Sequence, residues 1–246
     1  MFQGDLKDRS CLDAACQGVT TVISTASSTL SRQPGDSIQT VDLEGQLSLV
    51  DAAKANGVER FVFISFRSNP DLKYPLDDAK RAVEQHLTAS GLTYTILQAS
   101  YFMEIWLGPA LGFDYANASA RIYGEGHNGL SWISYKDVAQ FAVASLDNPA
   151  SCNAVIEVGG PQVLSPLEVV KIFEEVGGQP LAVEFVPEEA LRAQKADATD
   201  PLQESFAALM LTYAKGDPIE METTLKTFPI QLASVRDYAE GVLATS

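Results

Sequence analysis

Hydrophobic positions along the chain alternate between two periods. Val19–Ser24 (VTTVIS), Arg60–Ser65 (RFVFIS) and Thr93–Gln98 (TYTILQ) are short runs of β-branched and aromatic residues, which predict buried strands. Between them the apolar residues fall three and four apart. Asp8–Gln17, Ser37–Asn56 and residues 76–90 therefore predict helices, each ended by a glycine: Gly18, Gly57 and Gly91. In the second, Leu43, Leu47 and Val50 share a face; in the third, Ala79, Val83 and Leu87 do. Two shorter strands, Ala120–Tyr123 and Leu130–Ser134, flank a glycine-rich turn. A helix at 136–147 and a strand at Ala154–Val158 resume the alternation. Ser165, Pro166 and Glu168 form a helix start, with Ser165 as cap, Pro166 in the first turn and Glu168 completing a capping box. A strand at 181–186 follows, then helical patterns including Leu202–Ala214 and Val235–Leu243.

Strands alternating with helices at this spacing imply right-handed crossovers and a parallel sheet covered on both faces. The predicted fold is α/β, a Rossmann-like doubly wound sheet over residues 1–160, with a small, mostly helical part at 161–246 that is not an independent fold.

Composition changes this picture little. The 246 residues are 46% hydrophobic and 20% charged, enough apolar material for a core and too much for disorder. No uncharged run reads as a membrane span, and residues 1–6 show no basic-then-apolar leader. Charge excludes more: 17 basic against 32 acidic side chains give −15, a field that repels nucleic acid and anionic membranes. Residues 161–246 alone hold 14 acids and six bases. Cys11, Cys16 and Cys152 are odd in number and lack metal spacing, which points to buried thiols in a reducing cytoplasm. His86 and His127 lie far apart, so neither a zinc site nor a Ser-His-Asp triad is expected.

Three features bear on chemistry. Gly124-Glu-Gly-His-Asn-Gly129 matches the spacing of a phosphate-cradling loop. A strand rather than a helix follows it, however, so a glycine-rich hairpin is the better reading. The strands end in Thr25-Ala26-Ser27, Ser65-Phe66 and Gln98-Ala99-Ser100-Tyr101, small and hydroxylic residues where doubly wound sheets take their ligands. Such residues also simply begin loops, and spacing does not separate the two readings. Lys80 stands near the same sheet edge, either as a ligand-holding amine or as a surface cation paired with Asp77 and Glu84; spacing favours the surface cation.

Val41-Asp-Leu-Glu-Gly-Gln, the run Asp51–Ser65, Lys80-Arg-Ala-Val-Glu84, the run Ser90–Glu104, Asp137-Val-Ala and the Gly159-Gly-Pro161 turn occur here in linked order. Together, over about residues 4–190, they resemble the NmrA-like atypical short-chain dehydrogenases. The resemblance implies an NAD(P)-binding Rossmann domain with a C-terminal substrate-binding part, and favours NADP over NAD. It implies that Thr25, Ala26, Ser27, Ser65, Lys80, Gln98, Ala99, Ser100, Tyr101 and Phe102 line the dinucleotide, with Asp5 near the adenine. Lys80 would then be the lysine of the family's Tyr-x-x-x-Lys pair, acting catalytically.

Two departures qualify it. The tyrosine position is Leu76, which cannot donate a proton; Tyr74, two residues earlier, is the available substitute. The glycine fingerprint would precede residue 1, so the chain is expected to begin mid-fold as a truncated form.

The expected activity is NAD(P)H-dependent reduction of a small molecule, a quinone or a conjugated carbonyl. Alternatives are an NAD(P)-sensing regulator without turnover, or a chain that no longer holds the cofactor. Trp106, Phe113, Trp132 and Phe206 either line an apolar substrate pocket or merely pack. A protein partner for the acidic, helical tail stays open.

Overall fold

The computed structural model describes residues 3–31 and 33–244. In chain order its elements begin α1 (Arg9–Cys16), β1 (Thr21–Ser24), a wide π-type turn over Ile38–Gly45 running into α2 (Gln46–Ala55), and β2 (Arg60–Ser65). There follow α3 (Pro75–Ala89), β3 (Thr93–Ala99), α4 (Met103–Trp106), β4 (Phe113–Asp114), β5 (Ser119–Tyr123), β6 (Leu130–Ser131), α5 (Tyr135–Asp147) and β7 (Ala154–Val158). The chain closes with β8 (Val163–Leu164), α6 (Pro166–Gly177), β9 (Ala182–Val186), α7 (Glu188–Ala196), α8 (Pro201–Lys215), α9 (Glu222–Thr227) and α10 (Val235–Leu243). Two units interleave along the sequence. One comprises Met1–Gln98, Ala142–Ile156 and Ala198–Ser205; the other comprises Ala99–Phe141, Glu157–Asp197 and Phe206–Ser246.

The first unit is built on the sheet β1-β2-β3-β7, with β1, β2 and β3 parallel and Ser65 opposite Gln98 in register. Side chains alternate across a strand. Phe61 and Phe63 of β2 therefore enter one core with Leu12 and Cys16 of α1, Val50, Ala52 and Ala53 of α2, and Val83 and Leu87 of α3. Truncating either phenylalanine to alanine there would cost about 3–5 kcal/mol. Arg60 faces the other way. Its guanidinium donates to the Ser145 and Leu146 carbonyls and to Ser151 Oγ, closing the last turn of α5 against that face. This is the Rossmann-like α/β arrangement the periodicity predicts.

The expected helix Ser37–Asn56 is corrected in two respects. The helix is present, but Ile38–Gly45 is π-helical and only Gln46–Ala55 is α-helical, and the buried face carries Asp42 and Gln46, both at 0% exposure, while Leu43 and Leu47 are only half-buried.

The second unit holds the sheet β4-β5-β9 and the pair β6-β8. Ser165 and Glu168 make the reciprocal capping bonds that the sequence predicts at the start of α6. The Gly124–Gly129 hairpin is overturned, because β5 pairs with β4 and β9 whereas β6 pairs antiparallel with β8. The segment instead crosses between two sheets under tight packing. A Cβ on Gly124 would lie 2.6 Å from Ala214 Cβ, and one on Gly126 2.8 Å from Ile122 Cγ2; both glycines have φ of +75°. These glycines serve close approach and positive φ, not a turn between paired strands.

Among the described residues no helix is long and apolar enough to cross a membrane, and no cluster of three or more His, Cys, Asp or Glu could hold a metal. All three cysteines are free thiols. Cys16 is buried as expected, Cys11 is half-buried and Cys152 is exposed.

Candidate functional site

The carboxyl ends of β1, β2 and β3 lie side by side because the strands are parallel and in register. This edge brings together Thr25–Ser27, Ser65 and Gln98. Thr25 and Ala26 are exposed and Ser27 is half-buried, whereas Ser65 and Gln98 are buried.

Two polar side chains from the turn and from α2 pin the loop after β1. Ser24 Oγ donates to Gln46 Oε1 at 2.7 Å, and Gln46 Nε2 donates to the Ala26 carbonyl at 2.8 Å. Asp42 Oδ2 accepts from the Ser28 backbone N–H at 2.9 Å and from Ser28 Oγ at 2.5 Å. Asp42 Oδ1 is buried without a hydrogen-bond partner among the described residues and faces Lys80 Nζ at 3.6 Å.

Lys80 is not the surface cation that spacing favours. It is 5% exposed, and its amine sits 4.9 Å from the centroid of the Phe63 ring. Burial pushes its pKa down, opposed by the Asp42 carboxylate. The expected partners Asp77 and Glu84 are engaged elsewhere. Ser68 Oγ donates to Asp77 at 2.7 Å, and burial raises that carboxyl. Glu84 takes Arg81 at 2.6 Å and Gln98 Nε2 at 3.1 Å. Arg81 also donates to Ser65 Oγ at 3.0 Å and to the Phe66 carbonyl, fixing the end of β2.

Tyr74 occupies the N-cap position of α3 and is 2% exposed, with its ring parallel to Phe66 at 6.3 Å. Leu76 is buried, and its N–H donates to Ser205 Oγ at 3.1 Å. Asp5 lies at the surface, its carboxylate taken by the Lys7 N–H at 2.9 Å and the Lys7 amine at 3.1 Å. These contacts hold its pKa below the usual range.

Ala99, Ser100, Tyr101 and Phe102 belong to the second unit. Ser100 N–H donates to the Val158 carbonyl at 2.9 Å, and Ser100 Oγ is buried without a hydrogen-bond partner among the described residues. Tyr101 enters an aromatic nest with Trp106 at 4.9 Å, Tyr213 at 5.9 Å and Trp132 at 6.2 Å. Trp106 and Tyr213 stack at 5.3 Å, and burial drives the Tyr213 phenol far above its ordinary pKa. Phe102 packs on Tyr135 at 4.7 Å. Of the four aromatic residues named from sequence, Trp106 and Trp132 share this nest. Phe113 instead packs edge-to-face on Phe173 at 4.8 Å.

Sequence reading passed over Asp42, Gln46, Ser28 and Arg81. The available signal was a polar pair four apart, Asp42 and Gln46, beside the apolar Ile38 and Val41 on the helix-forming stretch.

The chain is 29% identical over 192 residues to the photosystem II assembly factor Ycf39 of Trieres chinensis, covering 76% of this chain and 58% of that one. The chain thus spans less than three fifths of that relative's length. It is 29% identical over 228 residues to an NAD(P)H azoreductase of Xenophilus azovorans, covering 92% and 75%. Its fold matches an NADPH-dependent quinone oxidoreductase of Escherichia coli, solved with NADPH. That match has a TM-score of 0.77 at 20% identity, over 98% of this chain and 82% of that one. Residues 1–238 match the profile of the NmrA-like family, and the chain belongs to that family.

Proposed function

We propose that the protein is an NAD(P)H-dependent oxidoreductase, with NADPH as the favoured dinucleotide, reducing a quinone or a similarly conjugated small molecule. The observation that carries the reading is Lys80. It is a buried amine held beside Asp42 and over Phe63, next to the carboxyl edge of three parallel strands. Lysine is seldom fully buried unless paired, and here a buried carboxylate is its partner. The family membership and the named reductases among the relatives support the same reading.

The residues fit one end of a dinucleotide. An ammonium carries three donors, and Asp42 Oδ1 pairs with its charge at 3.6 Å, which leaves donors for ribose hydroxyls. The glycine-rich spacing at Gly124–Gly129 is absorbed by packing, so it offers no pyrophosphate cradle. When bound, the dinucleotide supplies a hydride. In this reading Lys80 Nζ binds and orients the nicotinamide ribose, and Ser65, fixed by Arg81, lines the same edge. Leu76 donates no proton. The proton that completes reduction comes from water, as suits an acceptor whose negative charge spreads over a ring.

The test is NADPH oxidation by the purified full chain with a panel of quinones. Acceptor-dependent oxidation is expected, and a rate equal to the acceptor-free blank refutes the proposal. Tyr74→Phe should reduce kcat by far less than the roughly 100-fold that loss of a general acid costs.

A second reading, a dinucleotide-sensing regulator, is favoured by Leu76 at the proton-donor position. Micromolar NADPH binding with no turnover across the same panel would support it instead.

A further inference from the structure

We propose that Asp42 is a positioning residue for Lys80 and couples the lysine's charge to the loop after β1. The proposal rests on the dinucleotide reading above. Asp42 is wholly buried on the π-type turn, and its two oxygens are used differently. Oδ2 is committed to Ser28, through the backbone N–H and the hydroxyl. Oδ1 has no hydrogen-bond partner among the described residues and faces the Lys80 amine at 3.6 Å. That distance is beyond a hydrogen bond and within an ion pair. A buried carboxylate oxygen left in this state is costly unless a charge compensates it.

The groups facing Lys80 come from three elements. Asp42 approaches from the turn, the Phe63 ring from β2, and Arg81 and Glu84 lie along α3 itself. Arg81 disfavours the ammonium. Glu84 favours it, yet is already bonded to Arg81 and Gln98. Asp42 is therefore the carboxylate on which the charge of Lys80 depends. The same carboxylate holds Ser28 and, through it, the loop bearing Thr25–Ser27. One residue thereby sets both the charge of the amine and the place of the loop on a single sheet edge.

Asp42→Asn tests this in the full chain. The substitution keeps the shape and an acceptor for Ser28 but removes the charge. Two readouts are followed: the titration of the Lys80 side chain by NMR, and NADPH affinity by calorimetry from acid to alkaline pH. The Lys80 midpoint should fall by about one unit or more, roughly tenfold in proton affinity. NADPH binding should weaken about tenfold at mildly alkaline pH and recover as the pH falls and the amine recharges. In a Lys80→Met background, Asp42→Asn should weaken binding no further. If the single variant fails to fold, the double variant, which removes both charges, carries the comparison with Lys80→Met. An unchanged Lys80 midpoint overturns the proposal. So does a loss of affinity that is the same at every pH and persists in the Lys80→Met background, as a purely structural role would give. If the midpoint moves but neither chain binds NADPH at any pH, the dinucleotide reading fails while the hold of Asp42 on Lys80 stands.

Discussion

Replacing Lys80 by methionine tests whether a buried charge truly sits at this edge. At 3.6 Å and an effective dielectric of about 20, Asp42 and Lys80 attract by roughly 5 kcal/mol. Desolvating the two ions costs several kcal/mol each, so the pair itself nearly breaks even. Removing one partner is different, because it strands a carboxylate that keeps only its Ser28 bonds. Lys80→Met should therefore lose about 3–5 kcal/mol near neutral pH, most of it regained by adding Asp42→Asn. The pH dependence supplies the sharper test. Burial lowers the pKa of Lys80 below its ordinary 10.5, so between the folded midpoint and 10.5 the unfolded chain binds more protons than the folded one. The contribution of Lys80 to stability must then rise with pH through that window, by up to about 1.4 kcal/mol per unit, and be flat below it. Urea unfolding of the wild type and of the uncharged double variant, followed by far-ultraviolet circular dichroism across the alkaline range, measures the difference. A stability gap that stays constant to within about 0.5 kcal/mol up to pH 10.5 would refute a desolvated Lys80.

Other outcomes follow from contacts already described. Arg60→Met removes the guanidinium bonds to the Ser145 and Leu146 carbonyls at the end of α5 and to Ser151. It should lower the urea midpoint by about 3 kcal/mol equivalent with an unchanged slope. Gly160→Ala would place a Cβ 1.7 Å from the Trp132 carbonyl oxygen, which is backbone and cannot yield, so soluble folded protein should be lost or destabilised by more than about 3 kcal/mol. Gly241→Ala, within α10 and with nothing inside 4 Å of the new methyl, should instead stabilise by up to about 1 kcal/mol in thermal unfolding.

The sequence by itself determined the alternation of strands and helices, because that information is local. RFVFIS can bury both faces of a strand, Ala79, Val83 and Leu87 can form only one helical stripe, and Ser165 to Glu168 cap a helix through bonds three residues apart. Linked motifs named the family on the same local grounds. Where the residues meet was decided by tertiary structure. Asp42 and Lys80 stand 38 positions apart, and no periodicity pairs them. Their contact exists because Asp42 on the π-helical segment and Lys80 on α3 are both buried, while Leu43 beside Asp42 is only half-buried. Lys80 looked like a surface cation because Asp77 and Glu84 sit at helical spacing. In the fold Arg81 competes for both, which frees the lysine for the interior. The glycine run misled for a similar reason. Its spacing suits a turn or a phosphate, while its use, close packing against Leu167 and Ala214, depends on chain that arrives tens of residues later. Short-range pattern fixes elements because backbone geometry is local; burial of a charge depends on which distant carboxylate the fold carries to within a few ångströms, and only the assembled structure decides that.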